Sequence, residues 1–356
     1  MATTKVSTDV IDLSGNSEAL TWVKGTTAQR PGSPSIGDLR ENTDDNRTEI
    51  YSDQTGDPQW RRLKETGLDL TFSADFLVVA GGGAGGGNGT VTGGGGAGGL
   101  RTSWGSTSGG GSTAPDPLTL DVSTAYTVTV GGGGAGNASD VVSASGSSSS
   151  ISGSFTGSPI STTGGGGGGT SSNSYPNVNG QGGGSGGGGG GATGASGSAG
   201  SGTTDEGYNG GSSTLVPGCS TGSCKCGGGG GAAGLGASNV TTLDNTTSAG
   251  AGLALDITGA SVTYATGGLC IQSAPFSPTA NTGNGGVGGY HDPSGTFGPV
   301  SDASGASGIV VLNYPTDREI NSVGGSLTTG VLNGTAAGKK YTTFTGGTGD
   351  ITFTTA

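Results

Sequence analysis

Residues 76–104 read FLVVAGGGAGGGNGTVTGGGGAGGLRTSW, an apolar run that passes directly into glycine. Glycine accounts for 85 of the 356 residues, against about 7% in average proteins. Such enrichment without a three-residue period is typical of disorder, because fixing each residue's backbone costs about 1–2 kcal/mol. If the glycine runs are ordered, their own N–H and C=O groups must hold them, since they have no side chains to bury.

Short apolar segments interrupt the glycine. They have the β-branched content and the alternation of strands, and they are FLVVA (76–80), PLTLDVSTAYTVTV (117–130), LALDITGASVTYAT (253–266) and SGIVVLNYP (307–315). Glycine and β-branched residues both disfavour helix. The sequence therefore predicts a mainly β fold with irregular structure and essentially no α-helix.

The glycine runs allow two structures. Polyglycine II helices have three residues per turn and outward-pointing backbone groups, so neighbouring runs without Cβ atoms can pack and hydrogen-bond closely. A bundle of such helices with short β-strands is our first prediction for the body of the chain. The alternative is a β-sandwich whose strands are joined by well-ordered glycine loops.

Three regions are predicted along the chain. Residues 1–66 hold strand-like segments separated by turns at TDDN and QTGDP, which predict a small β-meander or hairpin unit. Residues 67–314 are the glycine-rich body. Residues 315–356 end in KKYTTFTGGTGDITFTTA, which predicts a C-terminal β-hairpin turning at GGTGD.

The charge of the chain excludes some partners. The formal net charge is −12, and nucleic acids or anionic membranes are bound through Lys and Arg. The longest apolar runs, 76–80 and 309–312, are far shorter than the roughly 20 residues that cross a bilayer. The start, MATTKVSTDV, lacks the pattern of a secretory signal. We expect no nucleic-acid binding and no membrane insertion.

The ordered series FLVVAGGGAGGG, GGGGAGGL, YTVTVGGGG and SGIVVLNYP resembles the glycine-rich domain of phage tail-fibre and receptor-binding proteins, which is common in marine phages. The likeness covers roughly residues 70–315. The series of motifs is also similar to the distal adhesins of T-even-type phages, in which loops of a polyglycine bundle recognise the host. In the family the hairpin usually precedes the LVVAGGG strand, and the four cysteines have no counterpart.

The resemblance implies a virion structural protein, a tail fibre or distal adhesin on the phage surface, that binds a host-surface glycan or outer-membrane protein. It implies contacts with other virion proteins. A homotrimer is expected, because neighbouring copies can share backbone pairing and so offset the entropy of ordering so much glycine. The alternative is a capsid-attached decoration protein or capsid fibre with a structural role. Neither function needs a cofactor.

The segment GTTAQRPGSPSIGDLRENTDDNRTEIYSDQTGDPQWRRL is similar to a short module that joins a structural N-terminus to variable domains in phage fibres. Virion attachment is therefore expected from its arginines and tryptophans, namely Trp22, Arg40, Arg47, Trp60, Arg61 and Arg62.

Receptor contact is expected from side chains on polar loops where glycine runs stop, because aromatic rings there suit flat contacts with sugars or proteins. The candidates are Arg101, Trp104, Tyr175, Asn179, Tyr208, Tyr290, His291 and Phe297. The same aromatics could instead close the ends of the bundle as small cores.

The cysteines Cys219, Cys224, Cys226 and Cys270 suggest disulfides, which a fold poor in side chains would gain from. Their C-x4-C-x-C spacing differs from that of structural zinc sites, so no metal is expected. Sequence does not choose among the three pairings of four cysteines.

Catalysis is not expected. His291 next to Asp292 lies in a turn-like stretch, and no serine has the context of a nucleophile. Asp205, Glu206 and Asp292 could supply paired carboxylates for glycan cleavage, but acidic residues in Gly/Ser loops are usually only solvated.

Overall fold

The computed structural model describes most of the chain: residues 23–44, 47–53, 58–64, 67–68, 71–87, 91–136, 143–170, 178–192, 195–214, 225–241, 249–270, 277–288, 290–291, 297–298 and 303–356. Two compact units are present, Met1–Leu70 and Thr71–Ala356. The described residues are mainly β, and their only helical turns are the 3-10 turns Thr27–Gln29 and Gly109–Gly111. The predicted fold class is therefore confirmed.

The first unit is a five-stranded sheet. Its strands are β1 (Val23–Gly25), β2 (Leu39–Asn42), β3 (Arg47–Ser52), β4 (Gln59–Lys64) and β5 (Gly67–Leu68). Strands β2 to β5 pair antiparallel in chain order, which is the predicted meander, and β1 adds in parallel beside β2.

The second unit contains an antiparallel eleven-stranded sheet. The path along it is β11-β10-β9-β24-β20-β6-β7, with β8 beside β6 and with β21, β22 and β23 beside β24. The bounds are β6 (Thr71–Val79), β7 (Leu100–Thr102), β8 (Leu118–Asp121), β9 (Ala125–Val130), β10 (Ser149–Ser152), β11 (Ile160–Thr162), β20 (Ile309–Tyr314), β21 (Arg318–Val323), β22 (Thr328–Thr329), β23 (Gly334–Ala336) and β24 (Lys339–Thr355). The sheet is nearly closed, because Gly99, next to β7, donates to the carbonyl of Thr163, next to β11.

Both faces of β6 are buried, which explains why FLVV shows no alternation. Phe76 and Val78 contribute to one core with the aromatic rings of β9, β20 and β24. Leu77 and Val79 contribute to a second core on the other face. The second core is covered by the hairpin of β16 (Leu253–Leu255) and β17 (Val262–Tyr264).

The predicted C-terminal hairpin is wrong. Residues 339–355 are one strand, β24, whose two halves do not pair with each other as the arms of a hairpin do, because β20 and β23 flank the first half and β9 and β21 flank the second. The first half of β24 pairs with β20 and the second half with β9. Gly347, with φ of 80°, allows an irregularity between the halves. The side chains of Phe344 and Phe353 both enter the first core, so each half is held against that core beside other strands and not against the other half.

Three further strand pairs are very short. They are β12 (Gly191–Ala192) with β13 (Ala195–Ser196), β14 (Lys225–Cys226) with β15 (Val240–Thr241), and β18 (Tyr290–His291) with β19 (Phe297–Gly298).

The glycine runs hydrogen-bond to one another with a repeat of three residues. We name segment A residues 80–87, segment B 91–99, segment C 131–136, segment D 143–148, segment E 163–170 and segment F 303–308. The N–H groups of segment A bond in turn to three neighbours at 2.8–3.0 Å: Gly81 and Ala84 to segment D, Gly82 and Gly85 to segment F, and Gly83 and Gly86 to segment B. We call the array the glycine lattice.

Segment B shows why glycine is needed. It donates to segment E, to 227–230 and to 283–286, and it accepts from segment A, from 185–188 and from Gly268. A Cβ atom at Gly93 would overlap the carbonyl oxygen of Gly188, and one at Gly95 would overlap that of Gly83. Six neighbours can therefore approach one segment only because it has almost no side chains.

The lattice grows from one end of the eleven-stranded sheet. Segments A, C and E follow directly after β6, β9 and β11, whereas segments B, D and F lead directly into β7, β10 and β20. Because these strands alternate in direction, all six segments leave the sheet at the same end. Outgoing and returning segments are therefore joined at the end of the lattice away from the sheet.

Candidate functional site

The stretches that join the six segments at the far end contain residues 88–90, 137–142, 171–177 and 289–302, which lie wholly or largely outside the described residues. Tyr175, a predicted receptor residue, is among them. Tyr290, His291 and Phe297 are described as backbone only, in β18 and β19, where His291 is paired with Phe297. Tyr290, His291 and Phe297 thus belong to the stretch that leads into segment F, and Tyr175 lies outside the described residues.

Trp104 lies elsewhere and has structural partners. Its indole Nε1 donates to a carboxylate oxygen of Asp256 at 2.7 Å. The Lys339 ammonium lies 5.9 Å from the ring centroid, and the ring packs against the second core. Trp104 therefore fastens the turn between β16 and β17 to the sheet.

Polar residues surround Trp104. Lys339 pairs with Asp75 at 3.0 Å, and the hydroxyl of Ser103 donates to the same carboxylate at 3.1 Å. Sequence reasoning missed Asp75, Asp256 and Lys339, because the partners are far apart in the chain and no local motif joins them. This cluster shows no exposed aromatic platform, so we assign it to stability.

Arg101 and Glu206 belong to the junction between sheet and lattice. Arg101 lies in β7 opposite Val78. The Glu206 carboxylate accepts the N–H of Thr163 at 2.7 Å, and its backbone carbonyl accepts the N–H of Leu100. Burial raises the pKa of Glu206, while the hydrogen bonds from Thr163 and the charge of Arg101 oppose that shift.

The expectation that Glu206 is only solvated is therefore wrong, since its carboxylate caps the start of segment E. Asp205 is exposed, with a positive φ of 61°. Asp292 lies outside the described residues. Of these acidic residues, Glu206 therefore has a structural role at the edge of the glycine lattice.

Tyr208 and Asn179 are parts of the lattice. Tyr208 is half-buried, its N–H donates to Gly231 at 3.1 Å, and its hydroxyl lies where a Cβ atom of Gly111 would stand. Asn179 is exposed, and its side-chain oxygen accepts the N–H of Ser198 at 2.8 Å. Each side chain thus supplies contacts at a margin of the lattice.

Cys226 and Cys270 form a disulfide with a Cα–Cα distance of 5.9 Å. It ties β14 to the end of the segment that follows β17, and it closes a sequence separation of 44 residues. Cys219 and Cys224 lie outside the described residues. Within the described ranges, no three His, Cys, Asp or Glu side chains are grouped as metal ligands would be.

Arg40, a predicted attachment residue, is instead buried in the first unit. Its guanidinium donates to the carbonyls of Gly25 and Thr26, lies 5.7 Å from the Trp60 ring centroid and lies 3.5 Å from the Glu49 carboxylate. Only 2% of Arg40 is exposed. Arg40 therefore holds the sheet together and offers no surface for attachment.

Glu49 is the anion of this buried cluster. Arg30 bonds it through two nitrogens at 2.5 and 3.2 Å, and Asn42 donates at 2.9 Å. Burial alone would raise the pKa of Glu49, but the hydrogen bonds of Arg30 and Asn42 and the charges of Arg30 and Arg40 outweigh it and lower the pKa.

The other attachment candidates are more accessible. Arg47 and Arg62 are exposed, whereas Trp60 and Arg61 are partly buried. Trp22 lies outside the described residues. Of the attachment candidates that the structure describes, Arg47 on β3 and Arg62 on β4 are the exposed ones.

None of the helical turns in the described ranges has the length and apolar character to cross a membrane.

A family profile described as "Glycine-rich domain" matches residues 69–315. The matched region covers more than half of the chain, so the protein belongs to the glycine-rich domain family. The match begins at the start of β6 and ends after β20, and it contains the whole glycine lattice. No curated protein and no solved structure matches the chain.

Proposed function

We propose that this protein is a phage virion surface protein, a tail fibre or distal adhesin that binds a host-surface glycan or outer-membrane protein. The observation that supports the proposal is the glycine lattice, a body held by backbone hydrogen bonds whose segments are joined at the end away from the sheet. A body of this kind suits the display of binding residues on the stretches that connect its segments. Those connections carry the binding.

The receptor residues follow from this arrangement. Tyr290, His291 and Phe297 lie between outgoing and returning segments, together with Tyr175, and they are the proposed contacts. Arg101 and Trp104 have structural partners. Attachment to other virion proteins is assigned to the first unit, through the exposed Arg47 and Arg62.

Adsorption competition tests the proposal. Purified protein is added to host cells, and the phage that still attach are counted. We expect a dose-dependent block of adsorption that a His291→Ala, Phe297→Ala variant no longer gives. The matched control is Ser198→Ala, an exposed change on the lattice flank that should block adsorption as the parent does.

A folded parent protein that neither binds cells nor blocks adsorption would contradict the proposal. The second candidate function, a capsid decoration protein or capsid fibre, would then be favoured. The copy number per particle separates the two, since hundreds of copies indicate the capsid and tens or fewer indicate the tail.

A further inference from the structure

Three polar side chains share the face of the eleven-stranded sheet that carries the second core. They are Asp75 on β6, Asn313 on β20 and Lys339 on β24. In the strand register, Asn313 lies opposite Asp75 on one side and opposite Tyr341 on the other, and Lys339 stands two residues before Tyr341. Cross-strand partners and alternate residues of one strand project from the same face. The three side chains therefore leave the sheet on the same side.

The ion pair of Lys339 and Asp75 spans strand β20 at the level of Asn313. Lys339 Nζ lies 3.0 Å from Asp75 Oδ2, although β20 separates β24 from β6. Diagonal neighbours in a sheet have Cβ atoms about 7–8 Å apart, which a long side chain can bridge. An amine, a carboxyl group and a carboxamide are thus brought together on one face.

The carboxamide of Asn313 is buried but incompletely paired. Only 1% of Asn313 is exposed, and its Nδ2 donates to the carbonyl of Ile257 at 3.0 Å. Its Oδ1 is also buried, and among the residues that the structure describes it has no hydrogen-bond partner. Nearly all buried polar atoms are paired, so an unpaired one beside an amine and a carboxyl group calls for an explanation.

We propose that Lys339 and Asn313 react to form an amide bond between Nζ and Cγ, with Asp75 as the proton carrier. One proton passes from the Lys339 ammonium to the Asp75 carboxylate, which leaves a neutral amine. The amine attacks Cγ of Asn313 while the Asp75 acid donates to Oδ1. The Cγ–Nδ2 bond then breaks and Nδ2 leaves as ammonia. Of the two protons that Nζ loses, one completes the ammonia, and Asp75 passes the other to solvent.

Positioning makes this reaction accessible, because groups held together in a rigid fold react far faster than the same groups free in water. The Asp75 side chain is only 14% exposed, so little water competes for the carbon of Asn313. The half-exposed side chain of Lys339 leaves the ammonia a route to solvent. The product would join β20 to β24 covalently. This inference does not depend on receptor binding, since it concerns the purified protein alone.

The mass of the purified full chain, measured after its disulfide is reduced, tests the proposal. We expect a mass lower by one ammonia than the sequence gives, and a tryptic fragment in which Lys339 is bonded to Asn313. Lys339→Arg and Asp75→Asn should each have the full mass. Lys340→Arg is the matched control and should keep the loss, because Lys340 faces the other side of the sheet and pairs with Glu319.

A parent protein of full mass would overturn the proposal. So would a loss of ammonia that persists in Lys339→Arg, because cyclisation of an asparagine on its own backbone also releases ammonia, or a Lys340→Arg protein that lacks the loss. The bonded fragment is sought in the parent itself, so its presence or absence decides the question even if a variant fails to fold.

Discussion

At the scale of the residue, Gly95 and Gly132 both stand between two glycines in the sequence, but only one of them has room for a side chain. Gly95 is enclosed on all sides, and a Cβ atom there would overlap the carbonyl of Gly83. Gly132 has open space at the same place. The need for glycine is thus set by position in the lattice and cannot be read from GGGG itself.

The first prediction compares these two positions. Gly95→Ala should destabilise the second unit by about 1–3 kcal/mol or more, because backbone must shift to admit the methyl group. Gly132→Ala should be neutral or stabilising by about 0.4–1 kcal/mol, because it restricts the unfolded chain without a clash. Chemical denaturation in dilute solution measures both. Equal losses at the two sites would show that the lattice does not pack as described.

A second prediction concerns Glu206. Its raised pKa means that the folded state holds the proton more tightly than the unfolded state, so this group's stabilisation is full below its ordinary value of 4.5 and is lost as pH rises through the folded pKa. Glu206→Gln keeps an acceptor for Thr163 without a charge. It should stabilise the second unit at pH 7 by up to about 1 kcal/mol and lose that advantage below pH 4.5. A variant less stable than the parent at pH 7 would contradict this.

The stability that Glu49 contributes should depend on pH with the opposite sign. Its lowered pKa means that its stabilisation is present above the ordinary value of 4.5 and is lost as pH falls through the folded pKa. Glu49→Gln should destabilise the first unit by about 3 kcal/mol at pH 7, because the buried Arg40 loses its anion. Hydrogen exchange of β2 and β3 amides reports on this unit alone. Unchanged protection at pH 7 would refute the prediction, and Glu41→Gln, a more exposed change on β2, is the control.

At the scale of the element, the lattice segments have few side chains with which to hold an end in place. The Cys226–Cys270 disulfide supplies one such connection. Strands β14 and β15 are only two residues long each, and their small cluster of buried side chains includes both cysteines. Backbone pairing over two residues is weak by itself, so we expect the disulfide to stabilise this part of the second unit.

The double variant Cys226→Ala, Cys270→Ala should therefore lose stability. In the chain-entropy description, a closed loop of this length contributes about 4 kcal/mol. Denaturant unfolding under oxidising conditions measures the loss, and adding reductant to the double variant reveals any contribution from Cys219 and Cys224. An unchanged midpoint in the double variant would show that hydrogen bonds alone hold this region.

At the scale of the whole molecule, the sequence predicted where strands form but not which glycine segments lie side by side. The strands FLVVA and SGIVVLNYP were identified because their apolar and β-branched side chains indicate buried strands. The neighbours of each glycine segment were not predictable, since runs of identical residues carry no information about their partners. The Trp104–Asp256 contact joins residues 152 positions apart. The C-terminal hairpin was predicted from a local turn signal, whereas burial of Phe344 and Phe353 determines the structure.

The position of β24 leads to the last prediction. It lies between β9 and β20 and supplies aromatic side chains to the first core, yet it lies outside residues 69–315, which match the family profile. Deleting residues 339–356 should therefore prevent folding of the second unit, because the sheet from which the lattice grows would be divided. Deleting residues 1–70 should leave its thermal midpoint unchanged, since the two units are compact separately. Amide exchange and thermal unfolding of both truncations measure this. A folded chain that ends at residue 338 would show that the lattice, held by backbone alone, can organise the sheet.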